Sequence, residues 1–446
     1  MEQSTSSPTP APVTRRDFLK QSSLAVAGAA AAVQFPAVLQ AQAKQPMNAV
    51  IIGLGGRGGG AGSDFLNAAK IVGVDAKIVA VADVFPQQAR RGKEAFGVPE
   101  DKCFSGFDAY KKTLDVPGVN YAIIATPPGF RPPYFRACIE AGKNVFMEKP
   151  VAVDGPGCRI MYETYAKSKE KGLKVAAGTQ RRHRPSYIET VKRIQDGMIG
   201  DVVALRAYWV NGGPIWHRGD NGATDLERQI ANWYHYIWLC GDHICEQHVH
   251  DLDVCNWIMG AHPVRCWGQG ARQQLGNKSG EIWDNFAVEY EYGNGVRLFS
   301  YCGQITRKWS SVSEHVHGAK GTSDLYDGRN MIKPKDGSPW RPTGIKNDNG
   351  YVLEHVNLIN AILDNTELNE AKNVTDSTLT AIIGREAAYS GGLVEWDDLL
   401  NSKFAYGPEP LYTDPSTLEW GPFRTLKPPV PSMHDILKNP PMVGKA

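Results

Sequence analysis

Several absences narrow the problem before any motif is read. The 446 residues carry 49 basic and 47 acidic side chains, a net charge of +2. The chain therefore lacks the one-signed surface that binding nucleic acid would require. Past the N-terminal segment no apolar run approaches the roughly 18 residues of a membrane-spanning helix, so no span is expected in the mature protein. Eight cysteines (Cys103, Cys138, Cys158, Cys240, Cys245, Cys255, Cys266 and Cys302) stand singly, with no C-x-x-C pair. That spacing argues against zinc-ribbon and dithiol redox chemistry, and buried free thiols are the expectation. Internal repeats are also lacking.

The first forty residues are the exception to this plainness. T-R-R-D-F-L-K, Thr14 to Lys20, precedes the soft apolar run S-S-L-A-V-A-G-A-A-A-A-V, and A-Q-A, Ala41 to Ala43, supplies small residues at a cleavage point. A charged, an apolar and a small-residue part make an export signal. The arginine pair and its Thr, Phe, Leu and Lys flanks resemble the twin-arginine type. Residues 1–43 are expected to be a signal peptide that sends the folded chain to the periplasm, with an uncleaved anchor as the alternative.

From Met47 the pattern alternates. M-N-A-V-I-I, K-I-V-A-V-A-D, Y-A-I-I-A-T and N-V-F-M read as short apolar strands. Helix formers fill the gaps at Asp64 to Lys70, Pro86 to Phe96 and about Pro132 to Ala141. Strands separated by helices imply βαβ units and a doubly wound α/β sheet, here given residues 44–172. Beyond it, V-V-A-L-R-A-Y-W, F-A-V-E-Y-E-Y and V-R-L-F-S-Y-C are longer and alternate with period two, the mark of a sheet with one face buried. These belong to a second domain, residues 173–446. The stretch from Asp327 to Tyr351 reads as a loop, Leu353 to Leu363 and Thr375 to Gly391 as helices, and the Pro-rich tail beyond Gly407 as a surface wrap.

Three local features carry chemistry. G-L-G-G-R-G, Gly53 to Gly58, follows the first strand and opens a helix. Gly53 suits the tight turn, Gly55 lets backbone approach a pyrophosphate, and Gly58 allows close helix–strand packing, with Arg57 between them. Asp83 ends the second strand, where it can accept from ribose hydroxyls and repel a 2′-phosphate, favouring NAD; Arg90 and Arg91 nearby leave NADP possible. A glycine turn without any nucleotide is the bland reading.

The second feature is M-E-K-P, Met147 to Pro150, at a strand end where ligands sit in such sheets. Lys149 there suits proton transfer beside a cationic nicotinamide, or else is a surface lysine before a turn. The third is C-G-D-H-I-C-E-Q-H-V-H-D-L-D, Cys240 to Asp253. Glu246 and His250 are four apart and share a helix face, and a histidine suits base catalysis near neutral pH. His243, His248 and His250 also read as plain structural histidines, or His248 and His250 as ligands of a metal. No metal is expected, because H-x-H diverges on a helix.

Together, G-x-G-x-x-G, the strand-end Asp83, A-T-P-P (Ala125 to Pro128), E-K-P and the Glu246-x-x-x-His250-x-x-Asp253 run resemble the Gfo/Idh/MocA oxidoreductase family over nearly the whole mature chain. The resemblance implies a Rossmann domain followed by an open, mainly antiparallel sheet that forms a homo-oligomer interface. It places the catalytic trio on Lys149, Glu246 and His250, where many members have Asp in place of Glu246. Thr126, Pro127, Glu148 and Gln180 would border the cofactor, and Arg131 stands near where many members have histidine. Arg181 and Arg182 match a segment lining the nicotinamide and substrate pocket, and His183 and Tyr187 follow it as further substrate candidates.

Aromatics crowd the span from Tyr208 to Trp238, with Trp209, Trp216, Trp233, Tyr234 and Tyr236 between. Flat faces beside hydrogen-bonding groups suit a sugar ring, though most such rings pack a core or interface. Two or three are expected to touch substrate, Trp233 among them. The implied activity is hydride transfer between a nicotinamide and a carbohydrate alcohol, with the cofactor held tightly because it is scarce outside the cytoplasm. An NAD-dependent glycosidase using transient oxidation, and a non-enzymatic sugar-binding protein, are the alternatives.

Overall fold

A computed structural model describes residues 45–212, 217–219, 222–275, 280–306, 309–438 and 440. The expected signal peptide, and Trp216 of the aromatic run, lie outside the described residues.

Six short strands form a wholly parallel sheet: β1 (Met47–Ile52), β2 (Ala76–Asp83), β3 (Cys103–Ser105), β4 (Tyr121–Ile124), β5 (Asn144–Met147) and β6 (Val175–Ala177). Their order is β3-β2-β1-β4-β5-β6. Strands such as A-V-I-I in β1 are apolar without alternation because helices cover both faces, and Ala49, Val50 and Ile51 are fully buried. The order reverses between β1 and β4, which pair with Ile51 opposite Ile123. The connections leaving those two strands therefore part in opposite directions and open a crevice at their carboxyl ends.

Helices α1 (Gly56–Val72), α2 (Pro86–Phe96), α3 (Ala109–Leu114), α4 (Arg131–Glu140), α5 (Gly155–Glu170) and α6 (Pro185–Gln195) follow in turn. β6 lies past the boundary expected at residue 172 and pairs with β5, so the parallel sheet extends beyond it. A late helix also returns to this sheet. α8 (Gly350–Asp364) packs beside α1, and its His355 Nδ1 lies 2.7 Å from the Tyr121 hydroxyl.

The second sheet contains β7 (Val202–Val210), β8 (Pro263–Ala271), β9 (Asn285–Tyr292), β10 (Arg297–Gly303), β11 (Ser311–Gly318), β12 (Gly321–Leu325), β13 (Met331–Pro334) and β14 (Val394–Glu395). Their order is β13-β12-β11-β7-β10-β9-β8-β14. Only β7 and β10 pair in parallel. Burial alternates along β9, with Phe286, Val288, Tyr290 and Tyr292 inward. β13 corrects the loop expected over 327–351: its four residues pair with β12, too short a run to show period two amid Gly and Pro. α7 (Val249–Met259) and α9 (Ala371–Ser390) line the inner face. α9 is buried nearly all round, as a helix packed on several sides must be.

Candidate active site

Where β1 ends, Gly53 adopts φ +93°, and a Cβ there would stand 2.7 Å from the Thr126 backbone nitrogen. A Cβ on Gly58 would stand 1.9 Å from the Gly53 carbonyl oxygen, so α1 can abut the turn only through hydrogen. Gly55 and Gly56 differ: no atom lies within 4 Å of their Cβ positions, and both border a cavity of about 660 Å³. Gly55 caps α1 with no side-chain hydrogen bond, and no acidic residue sits in the first turn. An uncapped helix start without negative charge, facing open space, is built for an anion.

Asp83 closes the same end of the cavity. Its carboxylate accepts from Leu54 N at 2.9 Å and Phe85 N at 3.0 Å. Burial raises its pKa, partly offset by those bonds and by Arg91 and Arg218. Arg90 and Arg91 do not line the cavity, whereas Arg218 does.

The other end is built by the strand end of β5 and by the segment leading into α7. Lys149 precedes Pro150 through a cis peptide bond. Its Nζ donates to the backbone carbonyl of Glu246 and lies 3.5 Å from Glu246 Oε1. Glu246 lies in a π-helical turn, Ile244–His248, that runs into α7, and Glu246, Gln247 and His250 all line the cavity. Burial raises the Glu246 pKa against the charges of Lys149 and Arg131. Burial, reinforced by Lys149, Arg181 and Arg57, holds the His250 pKa well below its ordinary value. The charged form of His250 is thus disfavoured, and its ring stacks 5.7 Å from Trp209.

Several cavity-lining side chains carry buried polar atoms without a partner: Gln88 Oε1, Thr126 Oγ1, Gln180 Oε1, Glu246 Oε2 and His250 Nδ1. Unsatisfied buried acceptors cost about 1–3 kcal/mol each, and their convergence on one cavity fits a polar occupant. A dinucleotide matches this set. Asp83 suits its ribose, the Gly55–Gly56 turn its pyrophosphate, and Thr126, Pro127 and Gln180 its nicotinamide half.

Other sequence candidates sit elsewhere. Arg57 borders the cavity, but its guanidinium is taken up by Glu148, by Asp64 at 3.1 Å and by Glu354 at 3.6 Å. Arg181 does not line the cavity: it is buried in ion pairs with Asp251 at 2.7 Å and with Glu314. Arg182 likewise pairs with Asp253 at 2.9 Å. His183 bonds Glu370 and Asn357 at 3.1 and 2.8 Å, and Tyr187 is fully buried under the Asp327 backbone; neither lines the cavity. Arg181, Arg182 and His183 follow the cavity-lining Gln180 in a tight 3₁₀ turn, Gln180–His183, that turns them away from the cavity, and Tyr187 lies in the first turn of α6 beyond it.

His248 spends both ring nitrogens on Asp251 and Ser300, at 3.1 and 2.7 Å. It is thus not free to join His250 on a metal. Of the aromatic run, Trp209 and Trp233 line the cavity. Tyr234, Tyr236 and Trp238 are core, and Tyr208 stacks on Tyr301. Tyr110, Tyr134 and Tyr351 also line the cavity; no local pattern singles them out.

Residues 47–177 match the Gfo/Idh/MocA model described as an oxidoreductase family with an NAD-binding Rossmann fold. Residues 187–324 match the model of the GFO/IDH/MocA C-terminal domain. The chain belongs to the Gfo/Idh/MocA oxidoreductase family. Among its family relatives, inositol 2-dehydrogenase of Rhizobium meliloti (strain 1021) is 27% identical over 251 residues, 55% of this chain and 67% of that protein. The scyllo-inositol 2-dehydrogenase (NAD(+)) of Bacillus subtilis (strain 168) is 27% identical over 198 residues, 44% of this chain and 50% of that protein. The chain thus spans about half to two thirds of these curated relatives. Aldose-aldose oxidoreductase from Caulobacter crescentus shares the fold at a TM-score of 0.64 and 19% identity, over 78% of this chain and 99% of that one. Levoglucosan dehydrogenase in complex with NADH and levoglucosan does so at 0.65 and 16%, over 79% and 99%.

Proposed function

We propose that the protein oxidises a secondary hydroxyl of a cyclic polyol or sugar, or runs the reverse reduction, with NAD held in the cavity. The observation that carries this reading is the meeting of Lys149, Glu246 and His250 at one end of a cavity whose other end is the Gly53–Gly58 turn and Asp83. The relative that dehydrogenates inositol and the structural neighbour that dehydrogenates levoglucosan support this substrate class.

When bound, NAD supplies the acceptor for a hydride leaving the carbinol carbon. The rest is done by this chain. Neutral His250 takes the hydroxyl proton, which an imidazolium could not do. Lys149, steered by the Glu246 carbonyl, places its ammonium where alkoxide charge develops. Glu246 fixes Lys149 and accepts from a neighbouring hydroxyl. Trp209 and Trp233 offer flat apolar faces to the ring. The N-terminal twin-arginine pattern supports export to the periplasm, and so a cofactor loaded before transport and kept.

We also propose a homo-oligomer joined through the outer face of the second sheet, where Trp267, Tyr301 and Trp309 are exposed. Light scattering on the purified protein checks it, and a monomer would refute it.

The deciding experiment is to denature purified protein and identify released nucleotide by mass spectrometry, then offer inositols, aldoses and anhydrosugars. Bound NAD(H) with polyol-dependent reduction supports the reading. No nucleotide, and no binding when NAD is added, would refute it.

A further inference from the structure

The Pro-rich tail does more than wrap the surface. Starting beside α4, Arg136 donates to the carbonyls of Tyr412 and Thr413, the first at 3.0 Å and the second at 2.7 Å. Asp414 then accepts from Lys111 at 2.7 Å and from the Tyr110 hydroxyl at 3.2 Å. Next, the Trp420 ring stacks 5.7 Å from Phe85 and lies 4.6 Å from Phe107. Tyr110 and Phe85 line the cavity at the Asp83 end.

The tail then crosses to the opposite wall. The Gly421 carbonyl accepts from Leu226 N at 3.2 Å, Phe423 N donates to Asp225 at 3.3 Å, and Gln229 donates to the Arg424 carbonyl at 2.7 Å. These partners belong to the short helix Asp225–Ala231, whose Ile230 also lines the cavity. Leu426 N finally anchors on Glu281 at 2.7 Å. One segment thus fastens both walls of the crevice together at the end marked by Asp83.

We propose that residues 412–426 form a retention strap for the adenosine half of NAD, with Trp420 and Asp414 as positioning residues that act through Phe85 and Tyr110. The inference rests on the functional reading above. A nucleotide leaving from this end must part Phe85 and Tyr110 from the Asp225–Ala231 helix, and the strap ties those walls. Loosening it should raise the off-rate more than it changes the on-rate, because most changes in the affinity of one site appear in dissociation.

The test compares the full-length protein with Trp420→Ala, Trp420→Phe and Asp414→Asn. NADH dissociation is followed by stopped-flow fluorescence, and retained nucleotide by its yield after gel filtration. Trp420→Ala and Asp414→Asn are expected to release NADH about tenfold faster or more, with Trp420→Phe restoring near-wild-type release. Melting temperatures without nucleotide, close to wild type in all three, separate this from general unfolding. Unchanged dissociation in the variants overturns the strap while leaving the functional reading intact. Failure of the wild type to bind NADH overturns both.

Discussion

The ammonium of Lys149 donates to the backbone carbonyl of Glu246, 97 residues further along the chain. This bond joins the end of β5 to the turn that leads into α7, the helix carrying His250, so two distant motifs meet at one cavity. Because the acceptor is a carbonyl, replacing the Glu246 side chain leaves it in place. Lys149→Met is expected to lower kcat by about 10²–10³-fold, the usual worth of one charged group aimed at developing oxyanion charge. NADH absorbance during polyol oxidation checks this, and fluorescence titration should show NADH still bound.

His250 titrates well below 6.5 because burial and three cations disfavour its charged form. A base with a depressed pKa stays active as pH falls through the ordinary histidine range. The acid limb of kcat/KM should therefore lie below pH 6.5, which a pH–rate profile reads directly. A half-point at or above that value would contradict the role given to His250.

Asp83 puts a carboxylate at the end of the cavity proposed for the adenosine ribose. Asp83→Ser is expected to shift the NADP-to-NAD preference toward NADP by about tenfold or more, with Arg91 and Arg218 close by. The ratio of the two dissociation constants is the measurement.

Gly58→Ala would push a methyl to 1.9 Å from the Gly53 carbonyl. Backbone on both sides leaves little room to relax, so a loss of about 1–3 kcal/mol or more is expected. Thermal melts with and without NAD would show reduced stability and weakened binding together.

Arg385 and Glu386 are both buried, joined at 2.7 Å, and His434 from the tail lies 3.1 Å from the same carboxylate. Burial alone would raise the Glu386 pKa, but Arg385 and His434 hold it at about 2. A carboxylate depressed on folding stabilises above its unfolded value of about 4.3 and loses that contribution as pH falls toward 2. Glu386→Gln strands a buried guanidinium and should cost about 3–5 kcal/mol. Urea unfolding at pH 7 and pH 3 should show the variant's deficit shrinking at the lower pH.

Strands β1, β2, β4 and β5 were legible because helices on both faces force them to be continuously apolar, and β7, β9 and β10 because one buried face forces alternation, whereas the three-residue β3 and β6 are too short to show either pattern. The glycine turn, Asp83, Lys149, Glu246 and His250 stood out as candidates because each sits at a spacing set by local geometry, and the structure brings them to one cavity. β13 was not legible, since four residues among Gly and Pro carry no period. Arg181, His183 and Tyr187 do not line the cavity although Gln180 does, because the 3₁₀ turn Gln180–His183 turns the next side chains away and Tyr187 packs into the helix beyond it. Nothing local distinguishes Trp209 in the cavity from Trp238 in the core.

By itself, then, the sequence determined the character of the two sheets, the glycine turn and the residue types able to move a proton, because these depend on contacts between near neighbours. Only the tertiary structure decided which of those residues share a cavity, that burial and nearby cations disfavour a charged His250, and that the tail bonds both to Lys111 and Tyr110 and to the Asp225–Ala231 helix. Those outcomes depend on burial and on charges brought together across 100 to 300 residues of chain, which no local pattern encodes.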